Sequence, residues 1–202
     1  MSRNALDRRR FIATTTASSA FTIVPRNVLG GDQHVAPNDR INVAHIGMGT
    51  QGFRELGELL ANPELKVTAV CDPNWQSTDY VEWGKGGITR SLRKYLGVPR
   101  WREGLKGCPG GREIGREVVD IYYAKKLDKG YRRECKAYAD FRELLAEETD
   151  VDAVKIMTPD HLHATIAIAA MNRGKHVVMH KPIANRLYEG RRVLDVARET
   201  GR

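Results

Sequence analysis

Residues 41–52 read INVAHIGMGTQG, an apolar run that breaks into three glycines at the spacing Gly47-x-Gly49-x-x-Gly52. The run predicts a strand and the glycines a turn into a helix, because Phe53, Leu56, Leu59 and Leu60 then share one side of a helical period. Such a turn gathers backbone N–H groups and the positive end of a helix dipole at one spot, which suits a pyrophosphate. In this reading Gly47 makes the tight turn, Gly49 lets the pyrophosphate approach, and Gly52 lets the helix pack close to the strand. Met48, Thr50 and Gln51 fill the loop and join the candidate cofactor contacts. A second strand, Lys66 to Cys71, ends on Asp72, twenty residues after Gly52. A carboxylate there accepts hydrogen bonds from ribose hydroxyls and repels a 2′-phosphate, so the pattern favours NAD over NADP.

Outward from this stretch, the 202 residues suffice for one ordinary domain with appendages and are few for a two-domain enzyme. The formal charge of +8 is unevenly placed. Residues 1–30 carry five Arg against one acid, and residues 84–136 carry fifteen Lys and Arg against six acids, so the remainder is net acidic. The basic character belongs to a leader and an insertion, not to the nucleotide-binding framework. The insertion, residues 73–136, is far longer than ordinary connections and is expected to serve a function, face a partner or be partly disordered. Only Arg116 to Leu127 within it shows a helical pattern. Its mixture of Arg93, Lys94, Tyr95, Arg100, Trp101, Arg102, Tyr131, Arg132 and Arg133 has the ingredients of a single-strand stacking surface. Interleaved acids and the lack of a recognised binding module argue for no nucleic acid. A subunit contact in a homo-oligomer, a lid over the cofactor, or a solvated face are the readings left.

Residues 1–30 hold Arg8-Arg9-Arg10-Phe11-Ile12 followed by ATTTASSAFTIV, too short and too polar for a spanning helix, so no stable membrane span is expected. The paired arginines, one intervening residue, Phe and an aliphatic residue resemble the signal of the twin-arginine (Tat) export route, which implies a periplasmic or exported protein. Residues 31–40 form a polar linker. Cys71, Cys108 and Cys135 show neither C-x-x-C pairing nor zinc spacing. Cys71 reads as a small buried residue, and pairing of Cys108 with Cys135 in an oxidising compartment stays open.

Beyond the insertion, Ala137-Tyr138 is a short strand and Asp140 caps a helix from Phe141 to Glu148. Val151 to Met157 is a strand, and Leu162 to Arg173 is a helix closed by Gly174. His176 to Met179 is a further strand, and Leu187 to Thr200 a last helix with Leu187, Val193, Leu194 and Ala197 inward. This alternation predicts an α/β fold, a doubly wound parallel (Rossmann) sheet over residues 41–202. Ligands in such sheets bind outside the carboxyl ends of the strands, where Asp72, Thr158 to His163 and His180 to Pro182 all fall. His161, His163, His176 and His180 also invite a metal reading. Hydrolases with an H-x-H pair need later His and Asp ligands that are missing here, so no metal is expected.

The run TPDHLHATIAIAAMNRGKHVVMHKPIA, residues 158–184, resembles the Gfo/Idh/MocA oxidoreductases, with their T-P-x-x-x-H loop, Gly-Lys-His-Val strand entry and Glu-Lys-Pro-like motif. The resemblance implies NAD lying across Gly47 to Gly52 and Asp72, with its nicotinamide end at Thr158, Pro159 and His163. It implies Lys181 as the catalytic residue beside the hydride-transfer site and a cis Lys181-Pro182 bond. His180 stands where the family usually has Glu, so an imidazole takes that cofactor-side position. The implied reaction moves a hydride between a sugar or polyol carbon and nicotinamide C4. An NAD-dependent glycoside hydrolase of the same superfamily and a non-catalytic dinucleotide-binding module are the alternatives. The family's substrate domain, with its acid/base His and Asp, has no counterpart in these residues.

Overall fold

The computed structural model describes residues 35–36, 39–126 and 134–202. The chain divides into two units, up to Asn38 and from Asp39 onward. Of the first only Val35 and Ala36 are described, and the Arg8 to Ile12 signal lies outside the described residues.

The second unit is built on β1 (Ile41–Ile46), α1 (Thr50–Ala61) and β2 (Leu65–Cys71), the elements expected around the glycine turn. The insertion then forms α2 (Gly87–Leu96) and α3 (Arg112–Lys126). The chain continues through β3 (Lys136–Tyr138), α4 (Phe141–Glu147), β4 (Ala153–Ile156), α5 (His163–Met171), β5 (His176–Met179) and α6 (Leu187–Thr200). The five strands are parallel in the order β3-β2-β1-β4-β5, with the order reversing at β1. That is the doubly wound sheet the sequence predicts. The caps are local: the Asp140 carboxylate accepts from the Arg142 amide at 2.8 Å to start α4.

The two faces of the sheet are covered by different parts of the chain. On one face Ala44, Ile46, Ala69, Cys71, Val154 and Ile156 meet Leu144 of α4, Ile166 and Ala170 of α5, and Val193 and Val196 of α6. On the other, Val67 and Val70 meet Phe53, Leu56 and Leu60 of α1 together with Leu92 and Leu96 of α2 and Ile114, Val118 and Tyr122 of α3. The insertion is therefore half of a hydrophobic core. Trp101, a candidate stacking residue in the sequence, is buried there and donates its indole N–H to Glu117 at 2.9 Å. A bulge in β2 explains why Val67 and Ala69 face opposite sides: Val43 pairs with Val67 and Ala44 with Ala69, so Thr68 is the extra residue. Beside the bulge, the Val67 amide donates to the Tyr123 hydroxyl of α3 at 2.9 Å, so the insertion also closes the sheet's hydrogen bonding.

Three details differ from the sequence expectation, and a fourth settles a question the sequence leaves open. Helix α2 was not foreseen, since its apolar residues are diluted by Arg90, Arg93 and Lys94, whose stems can cover apolar surface while the charges stay wet. Helix α3 begins four residues earlier than predicted, at Arg112. In α6 the buried residues are Val193 and Val196, whereas Leu187 and Leu194 are exposed. All three cysteines are buried and free, so Cys108 and Cys135 are not paired.

His45 sits at the centre of the sheet, fully buried, and neither ring nitrogen has a hydrogen-bond partner among the described residues. Burial first, and the Lys155 ammonium second, push its pKa down from 6.5 to about 4, against the opposing pull of Glu55. The unfolded chain therefore binds the extra proton between these values and the folded chain does not. Stability from this residue is complete above about pH 6.5 and falls as the pH drops toward 4. Between pH 7 and pH 5 the loss from this group is about 2 kcal/mol. Urea unfolding at the two pH values should show this slope in the wild type and a flatter one in His45→Gln; equal slopes would contradict it.

Candidate functional site: a dinucleotide cleft at the strand ends

The glycine turn is shaped by contacts no side chain could share. Gly47 has φ +99°, and a Cβ there would lie 2.6 Å from the Met157 carbonyl group of β4's exit. A Cβ on Gly52 would lie 2.1 Å from the Gly47 carbonyl oxygen, so the first turn of α1 rests directly on the turn that leaves β1. Gly49 is the N-cap of α1 with no side-chain cap, and no acid stands in the helix's first turn. The first amides of α1 are thus left for an external acceptor, which is what a helix N-terminus offers a phosphate.

Asp72 lies beside this turn, buried at the end of β2. Its Oδ2 accepts from the Met48 amide at 2.8 Å, and its Oδ1 accepts from the Asn74 amide at 2.9 Å and the Tyr80 hydroxyl at 3.2 Å. The turn and the acid predicted from sequence are therefore one hydrogen-bonded unit. Around them opens a cleft of about 720 Å³, lined by Gly47, Gly49, Thr50, Gln51, Asp72, Thr158 and Pro159 of the predicted set. Met48 and Gly52 stand behind it as support, with the Met48 side chain packed on Gly115 of α3.

The remaining predicted residues are not among the cleft's lining. His163 is 1% exposed and its ring spans two loops, Nδ1 lying 2.6 Å from the Pro182 carbonyl oxygen and Nε2 2.8 Å from that of Thr158. A neutral ring donates to one of these acceptors and a doubly protonated ring to both. His180 Nε2 lies 3.6 Å from the Glu55 carboxylate of α1, which also pairs with Lys155 at 2.5 Å. Burial works against ionisation of Glu55, yet its bonds from Lys155 and Gln51 hold its pKa below the usual carboxylate value. Lys181 is exposed, and its bond to Pro182 is cis, as the resemblance implies. Both His163 nitrogens are directed at carbonyls, and no group of three metal-ligating side chains occurs among the described residues.

The cleft also takes in Asn74, Tyr80, Ala139, Asp140, Phe141, Arg142 and Leu162, none of them expected from the sequence as a cofactor contact. Asn74 and Ala139 to Arg142 follow the carboxyl ends of β2 and β3, so the strand-end rule had marked the place if not the residues. Tyr80 had no such signal, because it comes from the insertion. The buried Thr158 Oγ1 has no hydrogen-bond partner among the described residues. A cleft with uncapped helix amides and a carboxylate at the second strand end is the cleft of a dinucleotide-binding Rossmann domain.

Comparison with known proteins narrows the class. Residues 115–202 match the family model for Gfo/Idh/MocA, described as an oxidoreductase family with an NAD-binding Rossmann fold. Levoglucosan dehydrogenase of Pseudarthrobacter phenanthrenivorans is 39% identical over 61 residues, 30% of this chain and 15% of the relative. A glycosyl hydrolase family 109 protein of Streptomyces filamentosus is 28% identical over 162 residues, 80% of this chain and 25% of the relative. The chain thus spans a quarter or less of these two relatives. Among solved structures, the WlbA dehydrogenase from Bordetella pertussis in complex with NADH and UDP-GlcNAcA shares the fold, with a TM-score of 0.52 at 18% identity over 80% of this chain and 36% of that one.

The contact of Gly52 with the Gly47 carbonyl gives a direct test of the turn. Gly52→Ala places a methyl group 2.1 Å from a backbone oxygen, so the helix or the strand must move. The expected loss of stability is about 2 kcal/mol or more, read as a lower denaturant midpoint. An unchanged midpoint would show that the turn is not packed as described.

Proposed function

We propose that the chain is the cofactor-binding part of an NAD-dependent oxidoreductase whose substrate is a sugar or polyol. The observation that carries this reading is the buried Asp72 carboxylate locked to the glycine turn, with the uncapped start of α1 beside it. These groups fit an NAD adenosine ribose and pyrophosphate by charge and hydrogen-bonding character. When bound, the nicotinamide supplies the hydride acceptor or donor. The chain's own residues bind and orient: Gly47 to Gly52 hold the phosphates, and Asp72 holds the ribose and disfavours a 2′-phosphate. Thr158 and Pro159 wall the other side of the cleft. His163 braces the Thr158 loop against the Pro182 turn, and His180 ties that turn to Glu55, which sets the place of Lys181. We assign Lys181 to orient and polarise the substrate hydroxyl or carbonyl, since an exposed ammonium can meet an incoming oxygen. The sugar or polyol assignment draws on the family resemblance and on the activity named for levoglucosan dehydrogenase.

A second reading, glycoside cleavage with no net redox change, is favoured by the glycosyl hydrolase family 109 relative. Its alignment of 162 residues is too long to leave out the whole insertion. Titration of NADH and NADPH, followed by absorbance of NADH with a panel of sugars and glycosides, separates the readings. Net NADH formation supports the dehydrogenase, cleavage without net NADH supports the hydrolase, and failure to bind NADH removes both. Asp72→Ala should weaken NADH about tenfold or more and narrow its advantage over NADPH, as expected for lost hydrogen bonds to a charged group. An unaltered NADH-to-NADPH ratio would contradict the role given to Asp72.

We also read Arg8 and Arg9 as an export signal, placing the protein in the periplasm or beyond. No helix among the described residues is long and apolar enough to cross a membrane. Replacing both arginines by Lys should retain the protein in the cytoplasm, as measured by cell fractionation; undiminished export would reject the signal.

A further inference from the structure

One side chain of the insertion, Tyr80, enters the dinucleotide cleft. Its ring lies flat in a slot between two glycines: a Cβ on Gly49 would sit 3.0 Å from one ring edge, and a Cβ on Gly110 would sit 2.3 Å from the other. The Tyr80 hydroxyl donates to Asp72 Oδ1 at 3.2 Å and accepts from the Asn74 side-chain amide at 2.8 Å. Burial and the nearby Asp72 charge push the phenol up to about 12, so the hydroxyl keeps its proton at neutral pH.

Both of these contacts coincide with points a dinucleotide needs. The open face of Gly49 is the space that glycine leaves for the pyrophosphate, and here it holds the Tyr80 ring. Oδ1 of Asp72 is the oxygen that remains for a ribose, since Oδ2 is turned to the Met48 amide. Tyr80 also lines a second cavity, of about 560 Å³, inside the insertion, together with Thr89, Arg93, Leu105 and Cys108. The ring is therefore a partition with room on both sides. The segment around it is anchored independently of the side chain, by the paired backbone bonds of Ser77 with Gly110 at 2.9 Å and by the Thr50 hydroxyl on the Val81 carbonyl at 2.6 Å. A turn about the Tyr80 side-chain bonds thus need not unfold the insertion.

We propose that Tyr80 is a side-chain gate of the dinucleotide cleft: its ring and hydroxyl hold the Gly49 face and Asp72 Oδ1, and a bound dinucleotide takes over both as the ring turns into the insertion cavity. This rests on the NAD reading above. Because Tyr80 competes with the cofactor, it lowers affinity for any ligand carrying the adenosine ribose and pyrophosphate. NADH and ADP-ribose are then titrated into the full chain as wild type, Tyr80→Phe and Tyr80→Ala. Tyr80→Phe removes the hold on Asp72 and should tighten both ligands by roughly twofold to tenfold, the range of one ordinary hydrogen bond. Tyr80→Ala clears the Gly49 face as well and should tighten both further. Where Tyr80→Ala loses its folded circular dichroism spectrum, Tyr80→Phe alone decides. Unchanged or weaker binding in the variants overturns the gate and makes Tyr80 a wall of the site. A wild type that binds neither ligand overturns the NAD reading itself, a result the variants cannot imitate.

Discussion

The Asp72 carboxylate is the joint on which the domain turns. One oxygen fixes the Met48 amide of the glycine turn, and the other takes the Asn74 amide and the Tyr80 hydroxyl of the insertion. A buried carboxylate is costly unless its lone pairs are met, so these three donors and the acid hold one another in place. Loss of any one partner leaves charge unsatisfied in a nearly water-free position. The end of β2, the start of α1 and the first part of the insertion are therefore one structural unit, assembled where a dinucleotide would be read.

That unit changes how the insertion is understood. As a sequence it is a basic segment with scattered glycines; as a structure it supplies Leu92, Leu96, Ile114, Val118 and Tyr122 to one of the two cores. It also supplies the hydroxyl that satisfies the Val67 amide beside the β2 bulge. Its backbone reaches the glycine turn directly, the Gly111 amide donating to the Met48 carbonyl at 2.9 Å. Removing it would uncover α1 and part of the face of β2 together, since Ile114, Val118 and Tyr122 share one cluster with Phe53, Leu56, Val67 and Val70. A segment so placed is a constituent of the cofactor domain, and its contact with the cleft through Tyr80 follows from that position.

What the sequence revealed was local in origin. The turn at Gly47 to Gly52 and the acid at Asp72 are dictated by backbone sterics and strand length, which short spacings record faithfully. The cap at Asp140 and the chain reversal at Gly174 were legible for the same reason. The phase of α6 was not: Leu187 and Leu194, seven residues apart, form one apolar stripe and Val193 with Val196 another, and only the packing against the sheet selects between them. The bulge at Thr68 was equally hidden, because its effect is to change parity within β2, and simple alternation assumes constant parity. Helix α2 was obscured by charged residues whose stems can shield its apolar side.

Beyond the glycine turn, two histidines join neighbouring loops and elements. The family resemblance implies His163 at the nicotinamide end, and in the fold its ring nitrogens lie against the carbonyls of Thr158 and Pro182. Its buried ring therefore sets the separation of two loops, and Thr158 faces the cleft from one of them. His180, just past the end of β5, lies 3.6 Å from Glu55, which is itself held by Lys155. A carboxylate from α1 thus meets the turn from outside, where the resemblance places a carboxylate within the motif. The turn that carries Lys181 is then met from two sides, by His163 of α5 and by Glu55 of α1, the helix that starts at the glycine turn. Any shift of that helix on the Gly47 carbonyl would be felt both at the glycine turn and, through Glu55, at the turn that carries Lys181.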